Sequence, residues 1–317
     1  MQHLPGRSLA LAGLLSLAAA TALCACDLGR VTVGTTAKVL VRAQPAMKME
    51  SDYDLARAAI PGVLKTVEGF WVVDPDNQDL IGLLTEGYCQ YGLGFVQDEW
   101  EVATLARDLE AVAALNARAT KIFTRCLNYA LRSLGDGWQK DLFGTAEAVE
   151  ARARATGAGK RDPLMWAAVA LGSIVNHNLD SIEIIGQVPT VKVLLARVIA
   201  LDAITPPKDL TLAALPHVAL GQLESASTQT GDATRALAHF RKAIELTTVA
   251  GQERFLLPRT IMAYRVGRMT RDRALYHDEL AKVLAIAPSV WPEQRLANEI
   301  AHRRARRYLK LEKELFR

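Results

Sequence analysis

Aromatic residues are scarce in this chain, at 6%, and runs of β-branched residues are few. A sheet-based core draws on both kinds, so their shortage argues against a β protein. Signatures of catalysis are missing too: the chain holds no HExxH, no G-x-S-x-G, no P-loop and no G-x-G-x-x-G. Its six histidines, His3, His177, His217, His239, His277 and His302, are scattered without metal-ligand spacing. The "HDEL" at 277–280 sets an imidazole beside two carboxylates, but adjacent positions on a helix point in different directions. No catalytic residue, no metal and no cofactor is therefore expected. Long hydrophobic runs are also lacking after the N-terminus. The longest, Leu164 to Val175, falls short of the about 20 residues that span a bilayer.

Only four cysteines are present, and two of them stand one residue apart in "TALCACDLGR" at 21–30. Before them, Arg7 is followed by an uncharged Leu- and Ala-rich stretch from Leu9 to Leu23, the n-region and h-region of a secretory signal. A lipoprotein peptidase reads Leu at −3, a small residue at −1 and Cys after the cut. Cys26 has Leu23 and Ala25 in those places, whereas Cys24 has Thr21 and the bulky Leu23. Cys26 is thus expected to carry the lipid, with residues 1–25 removed and Cys24 discarded. A buried N-terminal helix with merely apolar cysteines is the bland alternative, but nothing caps such a helix. Removing residues 1–25 takes away one Arg and no acid, which lowers the formal charge from +4 to +3. Asp27 favours retention at the inner membrane under the rule of enteric-type bacteria, with the outer membrane as the alternative. Residues 26–50 show no helical apolar period and contain turn formers, so they read as a lipid-anchored tether.

What remains is half hydrophobic, with Ala and Leu abundant, and its periodicity is helical. In "DATRALAHFRKAIEL" (232–246), Ala233, Ala236, Leu237, Phe240, Ala243 and Ile244 fall on one helix face. This motif resembles the second helix of a tetratricopeptide repeat, and echoes occur at 63–77, 191–202 and 275–288. Their spacing is irregular. The expectation for 51–317 is one all-α domain, a tetratricopeptide-like α-solenoid of degenerate helix pairs. Residues 52–72, 78–96, 99–116 and 117–134 read as successive helices, the last two either separate or continuous, and "TGAGKRDP" (156–163) as a surface loop, with a hinge between two halves as the alternative. In the closing segment, Ala297, Ala301, Ala305, Tyr308, Leu311 and Leu315 form a buried stripe. Arg303, Arg304, Arg306, Arg307 and Lys310 form a basic, solvated face, which an acidic protein or anionic lipid headgroups would suit next. Export argues against nucleic acid as the partner. Cys89 and Cys126 fall on helices that face an oxidising compartment, so a bridge is open to them. Two free thiols are expected instead, because packed helices can hold cysteines beyond the roughly 7 Å between Cα atoms that a disulfide tolerates.

The run "SDYDLARAAIPGVLKTVEGFWVVDPDNQDLIGLLTEGYCQYGLGFVQDEWE" resembles the opening of the TatT family, the lipoprotein component associated with TRAP transporters. Its marks are Asp52 and Asp54, Pro61, "LKTVE", "PDN" and "QYGLGFV". Further matches are "RATKIFTRCLNYALRSL", "DPLMWAAVALG", "AHFRKAIEL" and the tail "PEQRLANEIAHRRARRYLKLEKELFR", so the resemblance runs from about Ser51 to Arg317. Departures concentrate at "DAITPPKDLTLAALPHV" (202–218). The resemblance implies a periplasm-facing, lipid-anchored accessory of a tripartite transporter that uses an ion gradient and a soluble solute-binding protein. It implies a homotrimer with a cavity in each subunit, docking to the binding protein and passing a small ligand, apolar ones included, and it brings no catalytic residue. If a cavity exists, its polar lining should lie where polar groups interrupt apolar helix faces, which singles out Gln90, Tyr91, Trp166, Asn176, His177 and Asn178. A helix end, interhelical hydrogen bonds and a core Trp are the ordinary roles for the same residues. The rival functions are a general tetratricopeptide envelope scaffold without ligand handling and an envelope enzyme. An enclosed cavity, an open groove or a cleft of converging carboxylates would separate the three.

Overall fold

The computed structural model describes residues 28–227, 229 and 231–317, and Cys24 and Cys26 lie outside them. Among the described residues there are thirteen α-helices of ten residues or more: α1 (Leu28–Ala43), α2 (Tyr53–Val73), α3 (Gln78–Tyr91), α4 (Gln97–Ala106), α5 (Leu109–Leu134), α6 (Ala146–Ala155), α7 (Arg161–Asn176), α8 (Val188–Asp202), α9 (Leu210–Glu224), α10 (Ala233–Leu246), α11 (Leu257–Thr270), α12 (Arg273–Ala285) and α13 (Arg295–Leu315). Among the described residues the strands are one two-residue pair, Thr248–Val249 with Gln252–Glu253. The all-α expectation holds.

Helix starts follow local chemistry. Asp52, Asn77, Asp108, Asp209, Asp232 and Asp272 each precede a helix and accept a hydrogen bond from a first-turn amide. A cap of this kind stabilises by about 0.5–2 kcal/mol. The break between α4 and α5 falls at 107–108, earlier than the sequence suggests. There Arg107 adopts φ 59°, and Asp108 N–H donates back to the Ala103 carbonyl at 3.0 Å before its own side chain opens α5. Between α3 and α4 the chain stays helical through a π-turn, Gly92–Val96.

Residues 28–43 form a helix, not the tether expected from their turn formers. Val33 and Ala37 are buried, and Leu40, one turn further on, packs against the same core. Thr32, Thr35 and Thr36 bond their hydroxyls back to the carbonyls of Leu28, Val31 and Thr32, so the threonines stay within the helix. Cys89 on α3 and Cys126 on α5 are joined in a disulfide, with Cα atoms 5.4 Å apart. The expectation of two free thiols is thus overturned. Close approach is what permits the bridge: a side chain at Gly92 would collide with the Phe123 ring, and only glycine lets the π-turn and α5 come so near.

The same device recurs down the chain. A Cβ built on Gly221 of α9 would sit 2.9 Å from the Phe240 ring of α10, one on Gly267 of α11 2.9 Å from Tyr276 of α12, and one on Gly172 of α7 3.3 Å from Val191 of α8. Three helix pairs, α7/α8, α9/α10 and α11/α12, are therefore closed by a small residue on the first helix facing a larger one on the second. Sequential neighbours also bury three adjoining apolar clusters. The first runs from α1 to α9 and takes in Leu296 and Ile300 of α13, the second centres on α9 to α11 and the third on α11 to α13. Among the described residues, Ile182–Asp202 is long and apolar enough to cross a membrane by length and composition. Here it divides into a turn of helix, Ile182–Ile185, and α8, which starts with Pro189 and buries Val191, Leu194, Leu195 and Val198.

The last helix turns back to the first third of the chain. Ala301, Ala305 and Tyr308 of α13 are buried, as their stripe suggests, but the basic face is divided, with Arg304 and Arg307 turned inward. Arg303, Arg304 and Arg307 all reach Asp98 on α4, at 3.2, 3.2 and 2.7 Å. Asp98 is 2% exposed in its side chain. Arg304 also donates to the Leu93 carbonyl of the π-turn, and the Tyr308 hydroxyl donates to Glu101 at 2.6 Å. Burial raises the Asp98 carboxyl, but Arg304 and Arg307 outweigh it and hold it at about 2. Of the basic residues seen in the sequence, Arg303, Arg306 and Lys310 remain exposed.

Candidate functional site

A groove of mixed lining lies where α1, α3, the end of α5 and the starts of α7 and α9 meet. It has a volume of about 260 Å³ and is half-open to solvent. Val41, Leu83, Pro163, Trp166 and Leu212 give it apolar walls, while Gln44, Gln78, Thr85 and Ser133 supply polar groups. Carboxylates mark its edges at Asp79, Glu86 and Asp162. Glu86 is paired with Lys48 at 2.7 Å and Asp162 with Arg161 at 3.0 Å. A second, polar cleft of about 300 Å³ is lined by Asp76, Gln78, Ile81, Arg132, Asp136 and Gln139. Gln78, at the start of α3, lines both.

Beneath the groove, buried Arg161 fixes three elements. Its guanidinium grips Asp202 at the end of α8 through two bonds of 2.7 Å and donates to the Leu212 carbonyl of α9 at 2.7 Å. A bidentate pair of this kind sets orientation as well as charge. Arg161 in that way ties together the starts of α7 and α9 and the end of α8 on one side of the groove, and α1 packs its Val33 and Ala37 into the main core on the other. The lining contains neither His nor Cys, so it offers hydrogen bonds, carboxylates and apolar contact for binding.

The six residues singled out from the sequence separate in space. Trp166 is buried and reaches the groove. Gln90 is exposed on α3 and donates to Glu86 at 2.8 Å. Tyr91 is buried, and its hydroxyl accepts from Arg118 at 2.8 Å. Asn176, His177 and Asn178 end α7 against α5 and line neither cleft. His177 Nδ1 meets Asn116 Oδ1 at 3.0 Å, and Asn178 Nδ2 donates to Thr120 Oγ1 at 2.8 Å. The His177 ring stands edge-on to Trp100 with centroids 5.0 Å apart, and burial lowers its pKa to about 4. His177 and Asn178 form a polar helix end held by interhelical hydrogen bonds, whereas Asn176 Nδ2 is buried without a hydrogen-bond partner.

Sequence reasoning missed the groove because it placed Val41 and Gln44 in a tether. A signal was present: Val33, Ala37, Leu40 and Gln44 recur at steps of four and three, a helical stripe that Gly34 and the threonines mask. Gln78, Leu83 and Asp162 carried no signal, since nothing in a single sequence says which exposed faces will meet.

Residues 49–316 match a family model described as TRAP transporter T-component. Among curated proteins, none matches the chain.

Proposed function

Because the chain belongs to the TRAP transporter T-component family, we propose that it acts at the cell envelope as the docking partner of its transporter's solute-binding protein. The carrying observation is the groove at α1, α3, α5, α7 and α9, whose apolar walls and carboxylate rim suit a protein segment better than an enclosed solute. Its volume of about 260 Å³ is below the roughly 300–1,000 Å³ of ordinary small-molecule sites. Passage of a small ligand accordingly takes second place to docking. Cys26 anchors the chain by a lipid in this reading, with Leu23 and Ala25 as the processing signal. The anchor keeps the protein where a soluble binding protein delivers its cargo.

Sedimentation of lipid-free residues 27–317 with the purified binding protein should show a micromolar complex, roughly −8 kcal/mol. Leu83→Glu in the groove wall should weaken it. Independent sedimentation at concentrations well above that range, with and without solute, would instead favour a general envelope scaffold, the reading that an open groove supports next. Lipidation is tested separately by labelled palmitate. Cys26→Ser should abolish incorporation and Cys24→Ser should leave it; the reverse pattern overturns the assignment.

A further inference from the structure

We infer that His217 on α9 and His239 on α10 form a two-histidine site for a late transition-metal ion, Cu(II) above all. The two residues are 22 positions apart, which hid them from any reading of ligand spacing, but the helix pair brings their Nδ1 atoms to 3.2 Å. With metal–nitrogen bonds of about 2.0–2.1 Å, that separation corresponds to an angle of about 100° at a shared metal, between square-planar and tetrahedral. Without metal, one Nδ1–H donates to the other ring's lone pair. Binding needs that proton to move to Nε2 of its own ring, a change of tautomer. The ring centroids, 5.4 Å apart, are those of imidazoles pointing nearly at each other. A turn of about 40° in each ring's aim, shared between χ1 and χ2, the latter a broad torsion in His, brings both lone pairs onto one ion.

The support of the pair is rigid. Gly221, one turn along α9 from His217, lies against the ring of Phe240, the residue after His239, so the two helices cannot separate without unpacking that contact. Both histidines are only partly buried and an ion can reach them. Nearby carboxylates are already engaged: Asp202 with Arg161 at 2.7 Å, Glu224 with Lys192 at 2.8 Å and Arg235 at 3.1 Å, Glu245 with Lys242 at 2.7 Å. Among the described residues no group of three or more His, Cys, Asp and Glu could hold a metal. Water therefore fills the other positions. Two imidazoles and water suit Cu(II) best in the order of divalent ions, with Ni(II) and Zn(II) weaker. This site stands apart from the groove and goes beyond the docking role.

Cu(II) added to lipid-free residues 27–317 should give one bound ion, an electron paramagnetic resonance spectrum with nitrogen hyperfine structure from two imidazoles, and a rise in melting temperature. His217→Gln and His239→Gln should each weaken binding at least about tenfold, since even outer-shell losses at metal sites cost that much, and should remove the thermal shift. His277→Gln, on α12, should change neither. A spectrum of the unsubstituted protein without imidazole nitrogens, or an affinity indifferent to both Gln variants, overturns the site. The spectrum of the unsubstituted protein decides the matter even if a variant does not fold.

Discussion

At the scale of the residue, the buried disulfide and the buried histidine make the firmest claims. The Cys89–Cys126 bridge spans a separation of 37 residues, and closing a loop of that size in the unfolded chain stabilises by about 4 kcal/mol in the chain-entropy picture. Alkylating the denatured, unreduced protein should leave both thiols unlabelled. Cys126→Ser should lower stability by about 2–5 kcal/mol in urea unfolding. His177 gives a pH dependence. Its folded value of about 4 lies below the ordinary 6.5, so between the two the unfolded chain takes up a proton that the folded chain refuses. Its contribution is fully present above pH 6.5 and is lost as pH falls toward 4, by at most about 3 kcal/mol. Denaturant unfolding at several pH values should show this slope, and His177→Gln should flatten it relative to the unsubstituted protein.

At the scale of the element, α13 depends on α4 more than on its own propensity. Asp98 faces three guanidiniums, and removing one partner of a buried ionic cluster typically costs about 3–5 kcal/mol. Asp98→Ala should therefore destabilise the protein by that order and expose α13 first, which hydrogen exchange would show as lost protection along 295–315. The carboxyl is held at about 2, below its ordinary value, so its contribution persists above pH 4 and fades only as pH falls through 2. The elements differ in how much their sequence announces. Residues 233–246 declare a helix because apolar residues recur at every three or four positions, and the structure places α10 there. Residues 28–43 do not, because threonines that bond back to the helix look like turn formers when seen alone. The tail was read half correctly: its apolar stripe predicts burial, but a run of arginines reads as solvated until Asp98, some two hundred positions earlier, is known to lie beneath it. Trp166 was found as an aromatic within an apolar run. The rest of the groove, and the meeting of His217 with His239, depend on which helix faces are brought together.

At the scale of the whole molecule, the chain packs largely in sequence order, as a series of helix pairs does, and then closes on itself when α13 reaches α4. The closing contacts join residues as much as 211 positions apart, far beyond the local contacts that let helical proteins fold fast. A chain ending at residue 294 should collapse into its first cluster yet leave Asp98 without its arginines, so limited proteolysis should cut it within α4 under conditions that leave the full chain intact. Every chain is synthesised N-terminus first. The earliest third must then wait, with Asp98 held by the Tyr53 hydroxyl but without its arginines, until the last twenty or so residues arrive. The Asp98 cluster in this way ties closure of the first third to the presence of α13: a chain that stops short of it should keep α4 open to cleavage, and one that includes it should become resistant.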